Sequence, residues 1–328
     1  MEGGAVWDHH VHTWVSDYLE DKKEVRGEPV AEEAHEAGLP DVFEARSELT
    51  DRYAVSLAEH DGRVENDVYL EELEDRGYRT DNHGTHISAE MDGNRYLAIV
   101  GAQVNARDER GIQKDVVATG IDEDFDIKAK TPQELYEEAA QESELLFPTH
   151  ANVMRDWLWP LKTLDIKNMT NSDIEEVLQA GEEYDTPAGI ALPSFYSVNA
   201  HSRYRTVYGS LRNYFQGVEA FPAVPRINEL DLHGIEDLEA LPTDRPLATN
   251  LVPEEVFDRL WEGEGSYEKL LDSAEPTEIP SVDREEVGRR LSGLKNRALY
   301  RIPPALRGWG PETAGEKSGP ETGQTASA

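Results

Sequence analysis

One short stretch near the start of the chain, Asp8-His9-His10-Val11-His12-Thr13, constrains the fold more than any other. Side chains two apart on an extended strand share a face. With Ala5–His12 as a strand, Asp8, His10 and His12 point the same way. A carboxylate and two imidazoles on one face make a nest for a divalent cation such as zinc, manganese or iron. The plainer alternative is a surface strand with chance histidines, but a structural strand gains nothing from placing imidazoles side by side. Strand ends that carry such groups are where α/β barrels place their sites.

The stretch runs on through Trp14-Val15-Ser16-Asp17. From Asp8 to Asp17 it resembles the first motif of the PHP (polymerase and histidinol phosphatase) family, Asp-x-His-x-His-Thr-x-x-Ser-Asp. That resemblance implies a metal-dependent phosphoesterase on a distorted β/α barrel of about seven strands, with ligands gathered at one barrel mouth. It makes His10, His12 and Asp17 metal ligands. A second station, Tyr53–Gly62, is an apolar strand ending in Glu59-His60-Asp61 and resembles the family's second motif. His60 is there a metal ligand, with Glu59 as its carboxylate partner.

A third station is Gly84-Thr85-His86-Ile87-Ser88-Ala89-Glu90. His86 stands where the family carries a bridging Glu, and Tyr96 stands where it carries a His. His86 is kept as a ligand, though a neutral imidazole cannot bridge two cations. In the fourth, Leu146-Phe147-Pro148-Thr149-His150, a strand runs into His150, a ligand or proton donor. The family's late Asp-x-His falls on Thr249 and Leu251, and Asp231-Leu232-His233 offers that chemistry earlier. Arg203 and Arg205, beside His201, form either a phosphate clamp or a basic surface loop.

Composition narrows the rest. The 328 residues suffice for one large α/β domain or two ordinary ones. Sixty-seven Asp and Glu face 32 Lys and Arg, a net charge of −35. The acid is spread along the chain, which points to a salt-adapted, halophilic source that screens it. That charge argues against nucleic acid as a partner, because phosphates are repelled. A small phosphorylated substrate stays open, since bound cations invert a local potential. There is no cysteine, so any metal is held by His, Asp and Glu. No leader or membrane span is visible, and the chain reads as soluble and cytoplasmic. Nothing in it sets an oligomeric state.

Short apolar runs alternate with acidic amphipathic stretches, the pattern of an α/β domain. Strands are predicted at 5–12, 53–60, 85–89, 96–102, 145–150, 189–193, 217–221 and 246–249. Helices are predicted at 29–38, 67–76, 132–143, 171–184, 203–215, 235–241 and 253–262. Residues 1–265 are assigned to the barrel, 266–307 to a helical, locally basic extension, and 308–328 to a disordered tail. The leading function is hydrolysis of a phosphate ester by metal-activated water. The alternative is a catalytically impaired barrel that binds a metal or ligand. An amidohydrolase-type barrel is a third reading, but it lacks a mid-chain strand-end lysine here.

Overall fold

The computed structural model describes residues 4–16, 37–47, 50–149, 169–193, 221, 223–232 and 249–276. The predicted helices at 203–215 and 235–241 lie outside them, as does most of the predicted helix at 29–38 and strand at 217–221. Asp17, His150, Arg203, Arg205 and His233 also lie outside, and so does everything after 276.

The described chain is a mixed α/β structure. Its strands are β1 (Gly4–Val11), β2 (Arg52–Leu57), β3 (Glu59–His60), β4 (Arg79–Asn82), β5 (His86–Met91), β6 (Asn94–Ile99) and β7 (Gly101–Arg107). Then come β8 (Gln113–Thr119), β9 (Leu145–Pro148), β10 (Ile190–Pro193), β11 (Arg226–Leu232), β12 (Asn250–Pro253) and β13 (Glu275–Pro276). Among the described residues the helices are α1 (Leu39–Ser47), α2 (Asn66–Asp75), α3 (Pro132–Gln141), α4 (Asn171–Tyr184), α5 (Glu254–Trp261) and α6 (Tyr267–Ser273). No helix among the described residues is long and apolar enough to cross a membrane.

The ladders divide into two sheets rather than one closed barrel. The larger runs β10-β11-β1-β2-β6-β5-β4, with β12 and β13 attached beside β1, and the smaller runs β3-β7-β8-β9. The division falls where two neighbouring strands bend together. β2 and β6 are parallel partners, and after Ala58 and Val100 their continuations β3 and β7 pair again in the second sheet. Gly101 sits at that bend. A Cβ there would lie 2.3 Å from the Leu57 carbonyl and 2.8 Å from that of Ala118, so three backbones meet at a distance only glycine allows. At the far edge, Leu146 of β9 forms a parallel bridge with Ala188, just before β10.

Helix ends follow local chemistry. Thr131 and Thr170 each form a capping box, with Glu134 and Asp173, at the starts of α3 and α4. Three buried clusters result. α1 and α2 cover one face of the larger sheet, with Phe43 stacked on Tyr96 at 4.6 Å between centroids. α3 and α4 cover the smaller sheet. Trp7, Ile99, Val117 and Phe147 meet between the sheets and continue to Phe257, Leu260 and Leu270 of α5 and α6. Side chains from β1, β3, β7, β11 and the end of β9 meet in a largely buried polar cluster.

Candidate active site

The last residues of β1 depart from simple alternation. Against β2, His9 pairs with Ser56 and Val11 with Leu57, so His10 is an extra residue in the strand. Its φ is 72°, a left-handed conformation that side chains with a Cβ seldom adopt. A bulge re-aims the side chain it carries. This corrects the expectation that Asp8, His10 and His12 share a face. Asp8 stays on the face under α1, where Arg46 donates to it from Nε at 2.7 Å with Nη2 in ion-pair contact at 2.6 Å, and Tyr53 donates from its hydroxyl at 3.0 Å. Burial pushes the Asp8 carboxyl up, and Arg46 opposes that shift.

His10 turns instead towards β11 and β7. Its Nδ1 bonds Glu229 Oε1 and lies 3.1 Å from Thr149 Oγ1, which itself donates to Glu229. Its Nε2 lies 3.1 Å from Nε2 of His12 and 2.9 Å from Gln103 Oε1. His12 Nδ1 is 3.3 Å from Ser16 Oγ, and the His60 ring stands 4.4 Å from the His12 ring. His10, His12, Gln103 and Glu229 are all buried, and His60 is partly so. The structure thus brings together three of the sequence-predicted ligands, His10, His12 and His60.

Glu59 stands behind them with both oxygens occupied. Thr13 Oγ1 donates at 2.6 Å and Tyr69 at 3.2 Å to Oε1, while Ser16 Oγ donates at 2.6 Å and the Thr13 amide at 3.2 Å to Oε2. Burial raises its pKa to about 7 against the pull of these donors. Its carboxylate is held by the 13–16 turn and by Tyr69, and Ser16 links it to His12.

His86 requires a larger correction. β5 is three strands from β1 in the sheet order, roughly 14 Å at the usual strand spacing. His86 Nδ1 meets Tyr267 OH at 2.7 Å, and Nε2 meets the Leu260 carbonyl at 2.9 Å. Burial and neighbouring His83 lower its pKa to about 4. It is a neutral clamp on α5 and α6, not a member of the pocket. His9 is buried against Phe147 with neither ring nitrogen hydrogen bonded, and burial holds it well below the usual histidine range.

Among the described residues, no group of three or more His, Asp or Glu side chains is placed to hold a metal ion. Two imidazole donors do converge. Ligand atoms on a tetrahedral cation with bonds of ~2.05 Å stand roughly 3.3 Å apart, close to the His10–His12 separation. Each Nδ1 meets an oxygen, which suits Nε2 as the lone-pair donor, but the Gln103 oxygen 2.9 Å from His10 Nε2 must turn away for His10 to serve. The residues present therefore fit two positions of a divalent cation's shell. Glu229, Gln103 and Thr149 escaped sequence reading. The alternation Glu229-Leu230-Asp231-Leu232 was the available signal for β11.

Neither a protein-family model nor a curated protein sequence matches the chain. Solved structures do. The lesion-specific endonuclease PfuEndoQ from Pyrococcus furiosus matches at 15% identity and a TM-score of 0.39, over 80% of this chain and 56% of its own. PsfC from Pseudomonas syringae matches at 14% identity and a TM-score of 0.42, over 90% of this chain and 99% of its own. An Endonuclease Q complex with a 27-mer duplex substrate matches at 14% identity and 0.36, over 80% of this chain and 57% of its own. The chain thus spans a little over half the length of the two endonuclease structures. The expectation that net charge argues against nucleic acid is corrected here: one similar structure holds a DNA-lesion duplex, and charge summed over a whole surface does not fix the potential inside a pocket.

Proposed function

We propose that this chain is a metal-dependent hydrolase of phosphate esters on a distorted β/α barrel. The carrying observation is the 3.1 Å approach of the His10 and His12 Nε2 atoms, with each Nδ1 engaged by Glu229 or Ser16. The resemblance of residues 8–17 to the first PHP motif supports the same chemistry. Support for the barrel comes from neighbour relations. β1 pairs with β2, whose chain runs on into β3, β3 pairs with β7, β7 with β8 and β8 with β9, and the Leu146–Ala188 bridge leads to β10, β11 and back to β1.

His10, His12 and His60 are the residues that would hold the cation, with Asp17 as a further carboxylate. Such a cation supplies Lewis-acid charge that acidifies water and neutralises phosphate oxygens. Glu229 holds the His10 Nδ1 proton and keeps that ring fixed. Gln103 presents a side-chain amide beside His10 Nε2. Thr149 ties the tip of β9 to Glu229. In this reading His150 donates a proton to the leaving group, and Arg203 and Arg205 neutralise a substrate phosphate.

A second reading, a barrel that binds its ligand without turnover, is favoured by the two-imidazole count of converging donors. The two are separated by assaying the purified protein on p-nitrophenyl phosphate and its bis-ester with added manganese. The hydrolase reading predicts turnover that a chelator abolishes and manganese restores. Absence of turnover on both esters, in protein that binds manganese, would favour the second.

A further inference from the structure

Beyond the imidazoles, β7 and β8 run on as a two-stranded ribbon. β3 ends at His60, which pairs with Gln103, while β7 continues to Arg107, roughly 14 Å further at the usual strand rise. β8 starts beside that overhang, with Gln113 opposite Arg107 and Asp115 opposite Asn105. One face of the ribbon is apolar, where Val104, Ala106 and Val116 pack under α3 and α4. Alternation puts Asn105, Asp115 and Gln113 on the other face, the one from which Gln103 meets His10.

The two outer amides on this face are held in one sense. Asn105 Nδ2 donates to Asp61 Oδ1 at 2.5 Å, and Gln113 Nε2 donates to Asp115 Oδ1 at 2.8 Å. A carboxylate only accepts, so each amide nitrogen must face its acid and each amide oxygen must point elsewhere. Neither oxygen is taken by a hydrogen bond among the described residues, and both side chains are partly exposed. Arg107, the cation at the end of β7, donates from Nη1 to the Gly111 carbonyl of its own hairpin. The ribbon thus carries a strip of acceptors that leads away from the imidazoles. Glu229 adds a buried one, since its Oε2 has no hydrogen-bond partner among the described residues.

We propose that this strip binds the alcohol half of the ester, and that the substrates are phosphate esters whose alcohol carries hydrogen-bond donors, either hydroxyl or ammonium groups. This rests on the reading of the pocket as the end that takes the phosphate. The two chemistries then separate along the ribbon. A phosphate offers only acceptors and suits the cation end. A donor finds its partners further out, on Asn105 and Gln113. An ester without donors strips water from both amide oxygens and returns nothing to them.

The test compares glycerol 1-phosphate, 3-aminopropyl phosphate and propyl phosphate, which share a three-carbon chain, on the full-length protein with manganese. Phosphate release reads kcat and KM, and calorimetry reads Kd for any ester that is bound without release. The wild type is expected to favour a donor-bearing ester over propyl phosphate about 10-fold. Whichever donor-bearing ester leads tells hydroxyl from ammonium. Asn105→Leu and Gln113→Leu keep the bulk and remove the acceptor. Each should raise KM or Kd for that ester about 3- to 10-fold, with kcat little changed and propyl phosphate unaffected. Equal affinity for all three esters, binding of none, no change in either folded variant, or an equal loss on propyl phosphate overturns the inference. A preference that the variants remove, without release of phosphate, upholds the strip and defeats the hydrolase reading alone.

Discussion

Glu229 accepts a hydrogen bond from His10 Nδ1 across 219 positions of sequence, joining the middle of β11 to the bulge of β1. The contact fixes a ring whose backbone is in an unfavourable conformation, φ 72°. Removing the carboxylate in Glu229→Ala takes away one of the contacts that hold that ring and removes the acceptor of Thr149. Zinc affinity should fall about 10- to 100-fold with the fold retained by circular dichroism. Unchanged affinity would show that Glu229 does not orient His10.

The Asp8–Arg46 pair is buried at both ends and joins β1 to α1. Removing one partner leaves an uncompensated charge, which costs about 3–5 kcal/mol. Arg46→Ala should lower the urea midpoint accordingly. Asp8→Asn combined with Arg46→Met should recover part of the loss, because neither charge is then stranded. A single variant as stable as wild type contradicts the assignment.

Gly101 is predicted to be intolerant of any side chain. Its missing Cβ would strike two carbonyl oxygens at 2.3 and 2.8 Å, and both belong to backbone that cannot turn aside. Gly101→Ala should destabilise by at least ~1–3 kcal/mol. Gly4→Ala is the control, since its Cβ would meet the Val252 carbonyl at an ordinary 3.6 Å. Equal midpoints for the two variants would remove the case for a shared bend at Leu57 and Gly101.

His86 gives a signed pH dependence. Its folded pKa is about 4, below the ordinary 6.5, so the unfolded chain binds its proton first as pH falls. The stability it supports is complete above 6.5 and is lost progressively towards about 4. In urea titrations across that window, the wild type should lose stability faster than His86→Gln. Parallel curves would mean that His86 does not fold as a buried neutral group.

Much of the frame was legible in sequence because it obeys local rules. α4 matches the predicted 171–184 at both ends, and α3 begins at the predicted Pro132, each behind a capping threonine. β1 and β2 appear where apolar runs placed them. What escaped was set by tertiary contact. No local pattern announces that His10 bulges, so strict alternation wrongly joined Asp8 to the imidazoles. His86 looked like a ligand by its place in a motif, yet Tyr267 and Leu260, far along the chain, take both its nitrogens. Glu229 was missed because its strand was not recognised. Gln103 was missed because the predicted strand at 96–102 stopped short of it, while the chain bends at Gly101 and continues as β7.

The most direct test of the central claim is anomalous scattering from crystals grown with manganese or zinc, collected at the absorption edge of the metal. The account predicts a single strong peak within bonding distance of both His10 Nε2 and His12 Nε2, and its loss in His12→Ala crystals. A peak elsewhere, or density showing the two nitrogens bonded directly to each other in crystals holding the metal, would contradict it.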